Sequence, residues 1–198
     1  MATMTSVARG LSDRRPPVIP SAVIATLVLV LTEIMYFCAL ISSFNVIKAQ
    51  LFGNWSPPGD VRLPIAATAF NTALLIASGV TMWLANRAYK VHAKRTHAQL
   101  LFGLTITLGA CFVGFQGYEW VKLIQYGMTV QSGIFGATFF LIIGSHAAHV
   151  AAAVLVMAYL YFRMVRGHLS QGGMQAMQVF WLFVVAVWPV LYRLVYFS

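Results

Sequence analysis

Charge is scarce in this sequence. Only 9% of its 198 residues are Asp, Glu, Lys or Arg, against about a quarter in an ordinary soluble domain. Together with 60% hydrophobic residues and a mean hydropathy of +0.80, the shortfall excludes a water-exposed globule and implies a chain dissolved in lipid. Cysteine is scarcer still. Cys38 and Cys111 each lie inside an apolar run, without CxxC or Cys–His spacing, so neither a disulfide framework nor a zinc site is implied. Internal repeats and low-complexity tracts are missing too. Four acidic residues against thirteen basic ones give a net charge of +9, which in a soluble protein would suggest nucleic acid. Here the basic residues fall between apolar runs, where they set topology and meet anionic lipid. Membrane lipids are therefore the expected partners, and nucleic acid is not.

What the chain does have is five long apolar runs, at 18–44, 64–86, 98–121, 133–162 and 174–197. Each reaches the roughly 20 residues needed to cross a bilayer. The first exceeds the ~7–15-residue apolar core of a signal peptide, and no small-x-small cleavage site follows it, so it is expected to be a retained span. Residues 1–17 read as a basic tail and 18–198 as one membrane domain. Between the runs lie a turn-rich loop at 45–63, a basic connector at 87–97, a short polar connector at 122–132, and a loop marked by Arg163, Arg166, His168, Gly172 and Gly173. The expected fold is all-α: five transmembrane helices in an up-down bundle. If the N-terminus is inside, the inner segments hold Arg9, Arg14, Arg15, Arg87, Lys90, Lys94, Arg95, Arg163 and Arg166. The outer ones hold Lys48, Arg62, Lys122 and Arg193. Nine against four predicts N-terminus inside and C-terminus outside.

Ionisable groups inside a membrane are costly and usually face protein or water. Three stand out: Glu33, and the pair His146 and His149 of "GSHAAHV", which share one helix face. Glu119 lies nearer a helix end, and Asn71, Thr72, Ser78 and Gln116 add uncharged hydrogen-bonding groups. At ~1.5 Å per residue, Glu33 lies roughly 27 Å from Arg15, while His146 and His149 lie roughly 26 and 21 Å from Arg163. These similar depths predict a hydrogen bond from Glu33 to one histidine, pinning the first helix to the fourth. Three roles are open to the histidines: metal or haem ligation, a proton relay, or the locking of helices together. A shared metal needs further ligands, and a haem between helices needs a His on each, whereas the other four spans contain none. An ion path through Glu33 would suit a transporter, but transporters often show inverted repeats, and none is evident here.

Four segments, in order, resemble subunit III of the haem-copper cytochrome c and quinol oxidases. "TEIMYF" is similar to that family's S-E-x-x-F-F segment, which puts Glu33 on its intramembrane glutamate. "FNTALLIASGVTMWLA" is similar to L-N-T-x-x-L-L-x-S-G. "QGYEW" matches Q-x-x-E-Y at Gln116 and Glu119, and "GIFGATFFLIIGSHAAHV" is similar to G-x-x-G-S-x-F-F-x-x-x-G-x-H-G-x-H-V. The likeness runs from about residue 31 to 196 and implies the five-helix bacterial form. It further implies a multi-pass protein of the bacterial inner membrane with no catalytic centre or cofactor of its own. Haem and copper would lie in partner subunits. Such a chain packs beside the catalytic haem-copper subunit and other oxidase subunits, carries structural phospholipids in a cleft, and supports complex stability and proton uptake. On this resemblance Glu33, His146, His149, Asn71, Gln116 and Glu119 form one internal polar network, and Arg87, Lys90, Lys94 and Arg95 meet lipid head groups.

The last run departs from the pattern. "WLFVVAVWPVLY" keeps Trp181, Trp188, Leu191 and Tyr192 of W-H-F-V-D-x-x-W-x-x-L-Y, but Leu182 and Val185 replace the His and Asp, and Pro189 enters. A smaller network follows. Cytochrome c oxidase, quinol oxidase and the related accessory protein of a nitric oxide reductase all fit as the parent complex. The reading from a different class is a small haem- or metal-binding membrane enzyme using His146 and His149.

Overall fold

The computed structural model describes residues 19–51 and 65–196. The tail at 1–17 and most of the 45–63 loop lie outside these residues. Five helices make up the described chain: α1 Ser21–Gln50, α2 Ile65–Tyr89, α3 Arg95–Gln125, α4 Ile134–Val165 and α5 Gln171–Tyr196. All five are long and apolar enough to cross a membrane. Helices are what a spanning chain can afford, since every backbone N–H and C=O then bonds inside its own segment.

The helices outrun the apolar runs. α1 continues through Asn45–Gln50, where a loop was expected, so Lys48 lies in a helical last turn. Arg87 lies in the last turn of α2 and Arg95 opens α3, leaving only a short 3₁₀ turn, His92–Lys94, between them. Polar residues at the lipid–water boundary can be helical because their side chains reach water, so the hydropathy edge falls short of the helix edge. α5 runs on through Pro189 to Tyr196 without a break.

α2 and α3 form the most extensive pairing. α5 packs against α1, α2 and α4, while α1 leans mainly on α5 and barely touches α4. The core is aromatic at its centre: Trp181, Trp188, Phe44, Phe102, Phe112 and Phe139 are fully buried. Gly109 of α3 makes room for Trp181, because a Cβ there would lie 2.8 Å from the indole and 3.0 Å from Val154. The outward faces are apolar instead of polar, with Val28, Leu31, Met35, Phe70 and Leu155 exposed, as expected where the solvent is hydrocarbon.

One face of α2 carries most of the polar glue. Thr68, Asn71, Thr72, Ser78 and Asn86 are buried at helical spacing. Trp188 Nε1 donates to Thr72 Oγ1 at 2.8 Å and Trp181 Nε1 to Ser78 Oγ at 3.2 Å. Thr81 and Thr105 share a hydroxyl bond of 2.8 Å. Asn86 bonds Gln178, and Tyr89 OH donates to Leu169 O at 2.7 Å. Each such bond contributes roughly 0.6 kcal/mol on average, so together they fix the rotation of α2 against α3 and α5.

Candidate functional site

Glu33 on α1 meets His149 on α4, with Oε2 and Nε2 2.9 Å apart. His149 Nδ1 lies 2.7 Å from the Ser145 carbonyl. A carbonyl oxygen only accepts, so Nδ1 carries a proton. The contact on the other side of the ring then needs one further proton, either on a carboxylic acid that donates to Nε2 or on an imidazolium that donates to a carboxylate. Tyr36, one turn along α1 from Glu33, bonds Ser145 Oγ at 2.9 Å, and Phe37 packs on the imidazole at 5.4 Å between ring centroids. The His149 and Glu33 side chains keep 23% and 20% exposure, so the pair sits on a seam rather than in the core.

His146 is elsewhere. It is 1% exposed, stacked on Trp188 with centroids 5.0 Å apart and met edge-on by Phe112 and Phe37. Neither ring nitrogen has a hydrogen-bond partner. The two histidines share a face yet part company: Glu33 of α1 captures one, and aromatic rings of α1, α3 and α5 enclose the other.

A third set joins α2 to α3. Thr68 Oγ1 donates to Glu119 Oε2 at 3.1 Å. Asn71 Nδ2 reaches the Phe112 carbonyl at 3.3 Å and Gln116 Oε1 at 3.4 Å. The six residues expected to form one network therefore occupy three separate sets. Phe112 touches two of them, through its carbonyl to Asn71 and its ring to His146. Tyr36, Ser145 and Thr68 were not foreseen. Their signal was positional: Tyr36 is three residues from Glu33, Ser145 four from His149, and Thr68 three from Asn71.

Leu182 and Val185, which stand in place of the pattern's His and Asp, both pack against α2 at Gly79. A Cβ on that glycine would lie 3.2 Å from Val185 and 3.6 Å from Leu182. The α2–α5 contact is thus apolar at the point where the pattern carries two polar side chains.

Among the described residues, no group of three or more His, Cys, Asp or Glu is placed to hold a metal ion. Both nitrogens of His149 are engaged, and His146 is walled by rings, so the pair does not present two free ligands to one ion. The basic residues Arg87, Lys90, Lys94 and Arg95 are all exposed, with the Arg87 guanidinium 4.6 Å over the Trp83 ring. At the same end of the bundle, an apolar groove of about 310 Å³ opens between α1, α4 and α5, lined by Leu29, Ala153, Val156, Gly173, Met177 and Phe180 among others. The four basic side chains do not line it.

The cytochrome c oxidase subunit III family model matches residues 12–198. Cytochrome c oxidase subunit 3 of Corynebacterium diphtheriae is 33% identical over 182 residues, covering 88% of this chain and 86% of that protein. A probable cytochrome c oxidase subunit 3 of Mycobacterium leprae is 30% identical, covering 88% and 86%. Cytochrome c oxidase subunit 3 of Bos taurus is 30% identical over 175 residues, covering 84% of this chain and 66% of that protein.

Proposed function

The chain belongs to the cytochrome c oxidase subunit III family, and from that premise we propose that it is a non-catalytic helical subunit that steadies a respiratory haem-copper oxidase. The observation that carries the reading is the extent of the family match, which takes in all five spanning helices. A subunit III role in a haem-copper oxidase follows from it, as does residence in a membrane as a multi-pass protein. Haem and copper belong, in this reading, to the partner subunits. Its support within this chain is the arrangement of the histidines, one bonded at both nitrogens and one enclosed by rings.

The finer parts of the proposal concern placement. The complex lies in a bacterial inner membrane, with the N-terminus cytoplasmic and the C-terminus periplasmic. Arg87, Lys90, Lys94 and Arg95 meet anionic head groups at the cytoplasmic surface, where each basic residue near the bilayer adds about 1 kcal/mol. The apolar groove at that end takes an acyl chain. The contact of Glu33 with His149 holds α1 to α4 and supports proton uptake by the catalytic subunit only indirectly, through that subunit's surroundings.

The test is deletion of this chain from the complex. The remaining subunits are expected to keep their haem and copper spectra and initial oxygen consumption, while activity decays faster during turnover. Loss of haem or copper absorbance in proportion to this chain, restored by the isolated chain, would overturn the non-catalytic reading.

A further inference from the structure

We propose that α2 and α3 bind a single ordered water molecule, held by Asn71 Oδ1, Gln116 Nε2 and Trp120 Nε1. All three atoms are buried and have no hydrogen-bond partner within the described chain. Asn71 and Gln116 are each 1% exposed, in a bundle whose outer faces meet hydrocarbon. Lipid tails offer no hydrogen bond, so a polar atom at this depth is satisfied by protein or by enclosed water. The protein around these three atoms does not satisfy them.

The Asn71 and Gln116 side chains already touch. Asn71 Nδ2 donates to the Phe112 carbonyl at 3.3 Å and to Gln116 Oε1 at 3.4 Å. Both bonds exceed the usual ~2.9–3.0 Å, so the two amides are set slightly apart, and one atom of each is left over. Trp120 follows Gln116 by four residues, one turn along the same face of α3. Its indole lies against α4, where a Cβ on Gly144 would be 3.2 Å from the ring. Phe140 meets the same ring edge to face at 5.7 Å. The site therefore stands where α2, α3 and α4 meet, and a ligand in it ties the α2–α3 pairing to the α3–α4 contact.

The chemistry of the three atoms identifies the ligand. Gln116 Nε2 and Trp120 Nε1 only donate, and Asn71 Oδ1 only accepts. The ligand must accept two hydrogen bonds and give one. Water does so with about three bonds, the usual number for a buried water. A cation would face two N–H donors, and an anion would face a carbonyl oxygen, so each meets a contact of the wrong sign. His146 supplies the contrast. Its nitrogens are also without partners, but the rings of Phe37, Phe112 and Trp188 surround it. A water there would find no second polar side chain, whereas a buried water needs two to four polar partners. The water is thus confined to the amide side of Phe112.

The test uses the intact complex. A cryo-EM map fine enough to show ordered water is expected to place one peak within hydrogen-bond distance of all three atoms. Radiolytic hydroxyl labelling, which modifies aromatic rings beside bound water, gives a second reading in solution. Trp120 should be labelled in the unaltered complex and lose that label in Asn71→Leu, which removes the acceptor. Phe115 and Tyr118, exposed on the outer face of α3, should label equally in both. Gln116→Leu should have the same effect on Trp120, and it keeps the test decisive if Asn71→Leu fails to assemble. A map without the peak, a peak that misses any of the three atoms, or Trp120 labelling that survives either variant would overturn the site. The proposal needs only the pairing of α2 with α3, so its failure leaves the subunit assignment untouched.

Discussion

The imidazole of His146 lies on the indole of Trp188, with centroids 5.0 Å apart and planes 27° from parallel. Its environment is that of an aromatic core residue, although it carries two polar nitrogens. Ordinarily a buried polar group finds a hydrogen-bond partner, and one without a partner costs about 1–3 kcal/mol.

His146→Phe is therefore expected to leave the subunit at least as stable as before, since the ring stack persists and the unpaired nitrogens go. His149→Phe should destabilise it, because Glu33 is left without its partner. Thermal unfolding of the purified complex, followed by release of this subunit, ranks the two. A His146→Phe complex less stable than the His149→Phe complex would refute the packing role.

Glu33→Gln should keep a bond to His149, with the amide donating to Nε2, and leave assembly intact. Glu33→Leu should loosen the subunit by up to about 1.7 kcal/mol, the upper range for a membrane-buried hydrogen bond. Retention of the subunit across a detergent titration measures both. Turnover abolished by Glu33→Gln with assembly unchanged would replace the pinning role with an obligatory proton relay.

Gly109→Ala places a Cβ 2.8 Å from Trp181 and should cost about 1–3 kcal/mol through overpacking. Trp181→Phe removes the facing ring edge, so the double variant should be more stable than the sum of the two singles implies. A double-mutant cycle that is additive would mean the clash relaxes without involving Trp181.

Reporter fusions at the two termini should show a cytoplasmic N-terminus and a periplasmic C-terminus, from the distribution of basic residues. The reverse pattern would overturn that placement.

Five spans were legible because crossing a bilayer demands about twenty apolar residues, and that demand is written in composition alone. Helix ends were not, as Asn45–Gln50 and Arg95 show: at the membrane surface hydropathy changes before the helix does. The expected bond from Glu33 to a histidine is present at His149, although its depth was counted from Arg15, which lies outside the described residues. Rotation was not legible, and rotation sends His149 to Glu33 but His146 to Trp188. It also keeps Asn71, Gln116 and Glu119 in separate sets from the α4 histidines. Thr68 escaped notice because a membrane-buried hydroxyl commonly returns its bond to its own helix, as Thr72 does to the Thr68 carbonyl. Only its three-residue spacing from Asn71 marks the one that reaches across.

The leaning of α1 on α5 joins two helices made far apart in time. On a ribosome adding about 5–20 residues per second, the 121 positions from Gln50 to Gln171 take on the order of ten seconds. During that time α1 resides in the bilayer without its main neighbour, while α2, α3 and α4 emerge. Only the patch around Glu33 and His149 offers it an earlier hold, once α4 has arrived. A chain arrested before α5 should therefore leave α1 inserted but free to drift, accessible to membrane proteases and to the wrong helices. Firm seating of α1 is timed by the arrival of α5, a helix of 26 residues.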